Sequence, residues 1–143
     1  MGALGNEPAT VGVYRGVRGD DTYDALTHRV RGYCDWALDV SALIATIYRT
    51  EGGERDSALY DLGEAVAHAS IQCESLGLHA RQFATFDRGH LGEHCGVAEP
   101  YRMVTMLAVG LPPDRYAKAE RNRKNLEEIL WKTQRRAFLA SSM

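Results

Sequence analysis

The chain has 143 residues, with 17 Lys and Arg against 19 Asp and Glu, 45% hydrophobic residues, 14 Gly and 4 Pro. That length suits one compact domain, and a charged share of 25% with an ordinary apolar share excludes a disordered or low-complexity chain. A formal net charge of -2 gives no electrostatic basis for gripping nucleic acid or an anionic membrane.

The longest mostly apolar run, Val40 to Tyr48, is too short to span a bilayer. Met1 to Thr10 lacks the basic start and apolar stretch of a secretion signal, so a cytoplasmic protein is expected. Cys34, Cys73 and Cys95 are odd in number and show no CxxC spacing, which predicts reduced thiols rather than a disulfide framework.

In chain order, Thr10 to Tyr14 alternates around two valines and reads as a short strand. Asp20-Asp21 supplies a helix N-cap and early acids, and Tyr23, Leu26, Val30 and Tyr33 recur on one helical face. Gly32, Tyr33 and Trp36 mark its end. Asp39 to Tyr48 reads as a buried strand, although its periodicity also allows a helical piece. Glu51 to Asp56 is a polar, glycine-bearing loop.

Ala58, Leu62, Ala65, Val66, Ala69, Cys73 and Leu76 follow a helical stripe through five turns, with Gly77 at the C-cap. Ala58, Gly63, Ala65, Ala67 and Ala69 crowd that helix with small side chains, so it is expected to be central and buried on nearly every side. Leu78 to Phe86 reads as extended, and Asp87 caps a short helix running to Cys95, stopped by Gly96. Tyr101 to Val109 is a strand ended by Gly110 to Pro113. The basic tail carries Leu126, Ile129 and Leu130 on a short helix, with Trp131 as an anchor. Strands and helices alternate, which predicts three α/β/α layers in one domain, with a basic extension over 117–143.

Few groupings point to chemistry. His90 and His94 stand four apart with Cys95 next, a spacing at which imidazoles share a metal. The third ligand is lacking, so a solvated helix face is the reading. Cys73 with His68 or His79 resembles a nucleophile and base only in composition, since Cys73 lies on the apolar stripe. No GxGxxG or GKS loop occurs. Arg121 and Arg123, flanking Asn122, point to one side if the backbone there is extended, as a phosphate clamp requires, whereas a charge run near a C-terminus taken alone reads as a solvated face.

Three stretches carry a family resemblance. They are LYDLGEAVAHASIQCESLGL (Leu59 to Leu78), HARQFATFD (His79 to Asp87) and LGEHCGVAEPYRMVTMLAVGLP (Leu91 to Pro112). In order and spacing they resemble the second half of the FMN-dependent nitroreductase family, with its long helix ending in A-x-x-x-G-L and its A-L-G-x-P strand. Gly63, Gly77, Leu78, Gly96 and Gly110 fall in place. The Tyr33–Trp36 region resembles the family's N-x-x-W-A helix end, and RNRKNLEEILW (Arg121 to Trp131) its R-x-K-P-L-E-E-I tail.

The family's R-R-S-x-R flavin motif would precede Met1, so the chain resembles an N-terminally truncated member. About 40–50 residues of a usual family domain lack a counterpart. GALGNEPAT (Gly2 to Thr10) resembles the remnant of the family's N-x-Q-P-W turn.

The resemblance implies an α+β nitroreductase-like fold with a mixed, mostly antiparallel sheet. It implies FMN as cofactor and NAD(P)H as electron donor, with two-electron reduction of a small acceptor such as a nitro compound or quinone. By position it places Arg81, Gln82 and Phe83 beside the flavin ring, with a backbone N–H near N5, and Arg121 and Arg123 on the phosphate. Asn6 contacts the ring from a partner subunit. The implied assembly is a homodimer, or a heterodimer with a full-length relative. The alternative is a non-catalytic subunit or flavin-sequestering partner.

Overall fold

A computed structural model describes residues 9–51, 55–114 and 120–131. Strand β1 (Val11–Val17) leads into helix α1 (Asp21–Val30), a 3-10 turn at Asp35–Ala37 and strand β2 (Ala42–Arg49). Helix α2 (Arg55–Ser75), strand β3 (His79–Phe83), helix α3 (Arg88–His94), strand β4 (Tyr101–Gly110) and the short helix α4 (Leu126–Ile129) complete the order. The strands form one sheet ordered β1-β2-β4-β3, and every pairing among the described residues is antiparallel. The architecture is therefore α+β, with helices on both faces of the sheet.

Alternation decides which face each strand residue serves. Leu43, Ala45 and Ile47 of β2, with Met103, Met106 and Ala108 of β4, point to one side. There they pack with Tyr23, Leu26 and Val30 of α1 and Leu91 of α3. Tyr48 of β2 and Leu107 and Val109 of β4 point to the other side, where Ala58, Leu62 and Val66 of α2 meet them. Strands buried on both faces read as near-continuous apolar runs, which is why β2 and β4 were the clearest strand signals.

Three expected boundaries differ. The first strand runs three residues beyond Tyr14, because Val11 to Val17 pairs with Tyr48 to Ala42 along its whole length. Asp56 lies in the first turn of α2 rather than in a loop. Tyr33, expected on the apolar face of α1, falls beyond the helix and is 55% exposed.

The larger correction concerns α2. Only the stripe Ala58, Leu62 and Val66 is buried, with Leu59, Ala69 and Cys73 half-buried against the same sheet. Ala65, Gly63 and Ala67 face solvent, as do Tyr60, Ile71 and Leu76 at 67–77% exposure. One helix on one sheet face can bury only one stripe. The small residues that predicted close packing on every side leave a smooth outer face instead. At the C-terminus the expectation holds: Gly77 takes φ +74, its N–H donates to Glu74 O, and the Leu78 N–H donates to Cys73 O. That pair of bonds is the Schellman closure, with Leu78 packing beside Cys73.

Trp131 also departs from expectation. It is fully exposed, as Leu126, Ile129 and Leu130 largely are, so it anchors nothing among the described residues. The rest of the basic extension, 117–119 and 132–143, lies outside the described residues, as does Asn6.

The turn from β1 into α1 is tightly held. Asp20 Oδ2 accepts from the Val17 N–H at 2.9 Å and Oδ1 from the Tyr23 N–H at 2.6 Å. These two bonds hold the Asp20 carboxyl below the usual carboxylate range. Tyr23 then donates its hydroxyl to Leu38 O at 2.9 Å and Val40 O at 2.6 Å, tying α1 to the entrance of β2. The fit depends on Gly16, where a Cβ would sit 2.6 Å from both N and Cα of Tyr23. Backbone cannot give way as a side-chain tip can, so Gly16→Ala is expected to destabilise by about 3 kcal/mol, the upper end for overpacking. Urea unfolding measures it, and an unchanged midpoint would contradict this packing.

Candidate functional site

The residues expected beside a cofactor lie on β3, an outer strand of the sheet. An edge strand leaves alternate backbone N–H and C=O groups without a ladder partner. Along β3, Arg81 and Phe83 project to the α1–α3 face and Gln82 to the α2 face.

Phe83 does not offer its ring to a ligand. It is 9% exposed and belongs to the core, packed edge-on against Trp36 at 5.2 Å and against Phe86 at 6.2 Å. The Arg81 guanidinium lies over the Trp36 ring, 4.2 Å from its centroid. Arg88 repeats the arrangement over Phe86 at 5.6 Å and donates from Nη2 to Ala84 O at 2.8 Å. Thus the turn from β3 to α3 is flanked by two cations resting on aromatic rings. In the sequence Trp36 marks a helix end. Its contact with Arg81 bridges two loop-separated segments and leaves no local signature.

Gln82 reaches into a polar network on the opposite face. Its Nε2 donates to Thr105 Oγ1 at 3.0 Å. At this level Ala45 pairs with Met106 but Ile47 pairs with Met103, so Thr46 opposes both Val104 and Thr105. In this bulge the Thr46 hydroxyl replaces missing ladder bonds: it donates to Thr105 O at 3.0 Å and accepts from the Thr105 N–H at 3.1 Å. Thr46 is 1% exposed. Thr46→Val would strand that buried backbone pair and cost about 1–3 kcal/mol. Thermal unfolding checks this, and a variant as stable as the parent would contradict the role given to the hydroxyl.

Arg121 and Arg123 lie on an exposed segment that is neither helix nor strand, and among the described residues neither forms an ion pair. No described contact joins them to β3. The structure therefore unites Arg81, Gln82 and Phe83 on one strand, leaves Arg121 and Arg123 apart, and does not describe Asn6.

Other titratable groupings resolve simply. Asp87 caps α3 through the His90 N–H and holds His90 Nδ1 at 2.7 Å. Desolvation pushes the Asp87 carboxyl up, but the bonds from the His90 ring and backbone outweigh it and hold the group below its ordinary value. Among the described residues no group of three or more His, Cys, Asp or Glu is arranged to hold a metal. His68 lies 3.9 Å from Glu64 and His79 lies 3.8 Å from Glu74, while Cys73 packs into the α2-side core. Burial pushes the Cys95 thiol up, away from the lowered range of reactive cysteines. A cleft of about 400 Å³ between α3 and the start of β4 carries Arg88 and Arg102 against Glu93 and Glu99, and touches none of the expected cofactor residues. None of the described helices is long and apolar enough to cross a membrane.

No family model and no curated protein matches the sequence. Solved structures do match. An FMN-dependent nitroreductase from Clostridium difficile R20291 superposes with a TM-score of 0.67 at 16% identity, over 87% of this chain and 76% of that one. NfrA1 from B. megaterium gives 0.72 at 13% identity, over 87% of this chain and 57% of that one. An NADPH:FMN oxidoreductase from Vibrio harveyi, solved with NAD+, gives 0.70 at 13% identity, over 87% and 59%. At such identities the likeness establishes the fold, which is nitroreductase-like. The chain spans 57–78% of the length of the matched chains.

Proposed function

We propose that this chain is the second portion of an FMN-dependent NAD(P)H oxidoreductase of nitroreductase type, reducing nitro compounds or quinones by two electrons. The observation that carries the reading is the fold: 87% of the chain superposes on FMN oxidoreductases with TM-scores of 0.67–0.72. The bound flavin would supply the two-electron chemistry, accepting hydride from the nicotinamide and passing it to the acceptor.

The chain's own residues fit such a group at two points. The outer edge of β3 offers backbone N–H groups beside Arg81, Gln82 and Phe83, where the polar edge of an isoalloxazine needs donors. Gln82, tied to Thr105, and Phe83, sunk in the core, make that edge rigid. Arg121 and Arg123 are exposed cations without ion-pair partners among the described residues, as a phosphate clamp requires. Arg81 is thereby assigned to the site through its backbone, and its side chain is left for another task.

The assembly we infer is a homodimer. Tyr60, Ala67 and Ile71 form an exposed outer face on α2, and Leu126, Ile129, Leu130 and Trp131 an exposed apolar arm. A second copy would bury both, and Asn6 would reach the ring from that copy. A second reading is that the chain completes a full-length relative or sequesters flavin without turnover.

Titration of the purified protein with FMN, followed by flavin fluorescence and by NAD(P)H-dependent bleaching, tests the proposal. Arg121→Ala with Arg123→Ala is expected to weaken FMN binding at least tenfold, since charge-assisted hydrogen bonds contribute about 1.5–3 kcal/mol each. An unchanged titration would remove both residues from the site, and a protein that stays colourless would remove the enzymatic reading.

A further inference from the structure

We propose that the Arg81 side chain, resting over the Trp36 ring, is a recognition site for a carboxylate borne on a planar ring. Its use in catalysis, holding an acceptor beside the cofactor, rests on the flavin reading above. The binding itself does not.

The stack has the features of a prepared anion site. Arg81 is exposed on an edge strand, and its guanidinium lies 4.2 Å over the indole. Trp36 is fixed from beneath by Phe83, ring planes at 72° and centroids 5.2 Å apart, and Phe83 is itself buried against Phe86. The guanidinium thus rests on the core through two aromatic contacts, which reduces the rotamer freedom lost when a ligand arrives. Among the described residues Arg81 has neither an ion pair nor a hydrogen bond.

The neighbouring acids are already engaged. Asp35, adjacent to Trp36, accepts from the Gly32 N–H at 2.6 Å, and Asp87 is held by His90 at 2.7 Å. Arg88, stacked on Phe86 across the turn, adds a second fixed positive charge. The edge of a stacked guanidinium presents parallel N–H donors that match the two oxygens of a carboxylate, and a compact ammonium cannot reproduce that fork. Trp36 remains 41% exposed beside it, apolar surface against which the ring that carries the carboxylate can rest.

The test uses the whole chain, labelled with nitrogen-15, titrated in turn with benzoate, benzamide and inorganic phosphate. The Arg81 Nε–H and Trp36 indole N–H resonances report binding, and the Trp131 indole is the internal reference. Benzoate is expected to shift both reporters to saturation and to leave Trp131 in place, with benzamide and phosphate at least about tenfold weaker. Arg81→Gln and Arg81→Lys are each expected to weaken benzoate binding about tenfold or more, whereas Trp36→Phe, which keeps a stacking ring, stays within about threefold. Absence of saturation, equal response to benzamide or phosphate, or undiminished binding in Arg81→Gln would overturn the site. An FMN titration on the same sample separates the two claims. Flavin binding without a benzoate response removes this site alone, and a benzoate response without flavin binding removes the flavin reading alone.

Discussion

The pairing of β2 with β4 is the constraint on which the rest of the molecule depends. Both strands lie inside the sheet and are covered on both faces, so most residues along them must fit one of two cores. A one-residue slip would exchange those cores, sending Met106 and Ala45 toward α2 and Leu107 toward α1. The bulge at Thr46 absorbs the one irregularity in that pairing, and the threonine hydroxyl supplies the hydrogen bonds that the ladder loses there. From this pair the outer strands follow. β1 is drawn close under α1 by Gly16, and β3 is laid along β4 so that Gln82 reaches Thr105.

Local signals in the sequence lead directly to much of this fold. Asp20 and Asp87 occupy the N-cap positions their chemistry favours, and Gly77 and Gly96 adopt the positive φ that ends their helices. The apolar runs of β2 and β4 mark buried elements, and their short length with β-branched residues favours strands over helices. What the sequence conceals is what each helix leaves uncovered. Ala65 and Ala67 look like packing residues, yet both face solvent, because small side chains fit a buried face and a face awaiting a partner equally well. Trp131 reads as an anchor for the tail, yet it stands clear of the described structure.

The candidate site was legible only where it coincides with a strand. Arg81, Gln82 and Phe83 are adjacent in sequence, and the fold keeps them together while sending their side chains to different tasks. Strand alternation could have separated Gln82 from the other two in advance. The stacking of Arg81 on Trp36 and the meeting of Gln82 with Thr105 join distant segments, and no periodicity encodes them. Arg121 and Arg123 present the opposite case. Their chemistry is plain in the sequence, but the described chain does not bring them to β3.

In the function we propose, a second copy of this chain completes the flavin site through the bare face of α2 and the apolar arm. Sedimentation velocity of the FMN-loaded protein, recorded at the flavin absorbance across a range of concentrations, puts that assembly to the test. Flavin absorbance is expected to travel with a species of twice the chain mass and to be lost as dilution releases single chains. Flavin sedimenting with a single chain at every concentration would overturn the shared site.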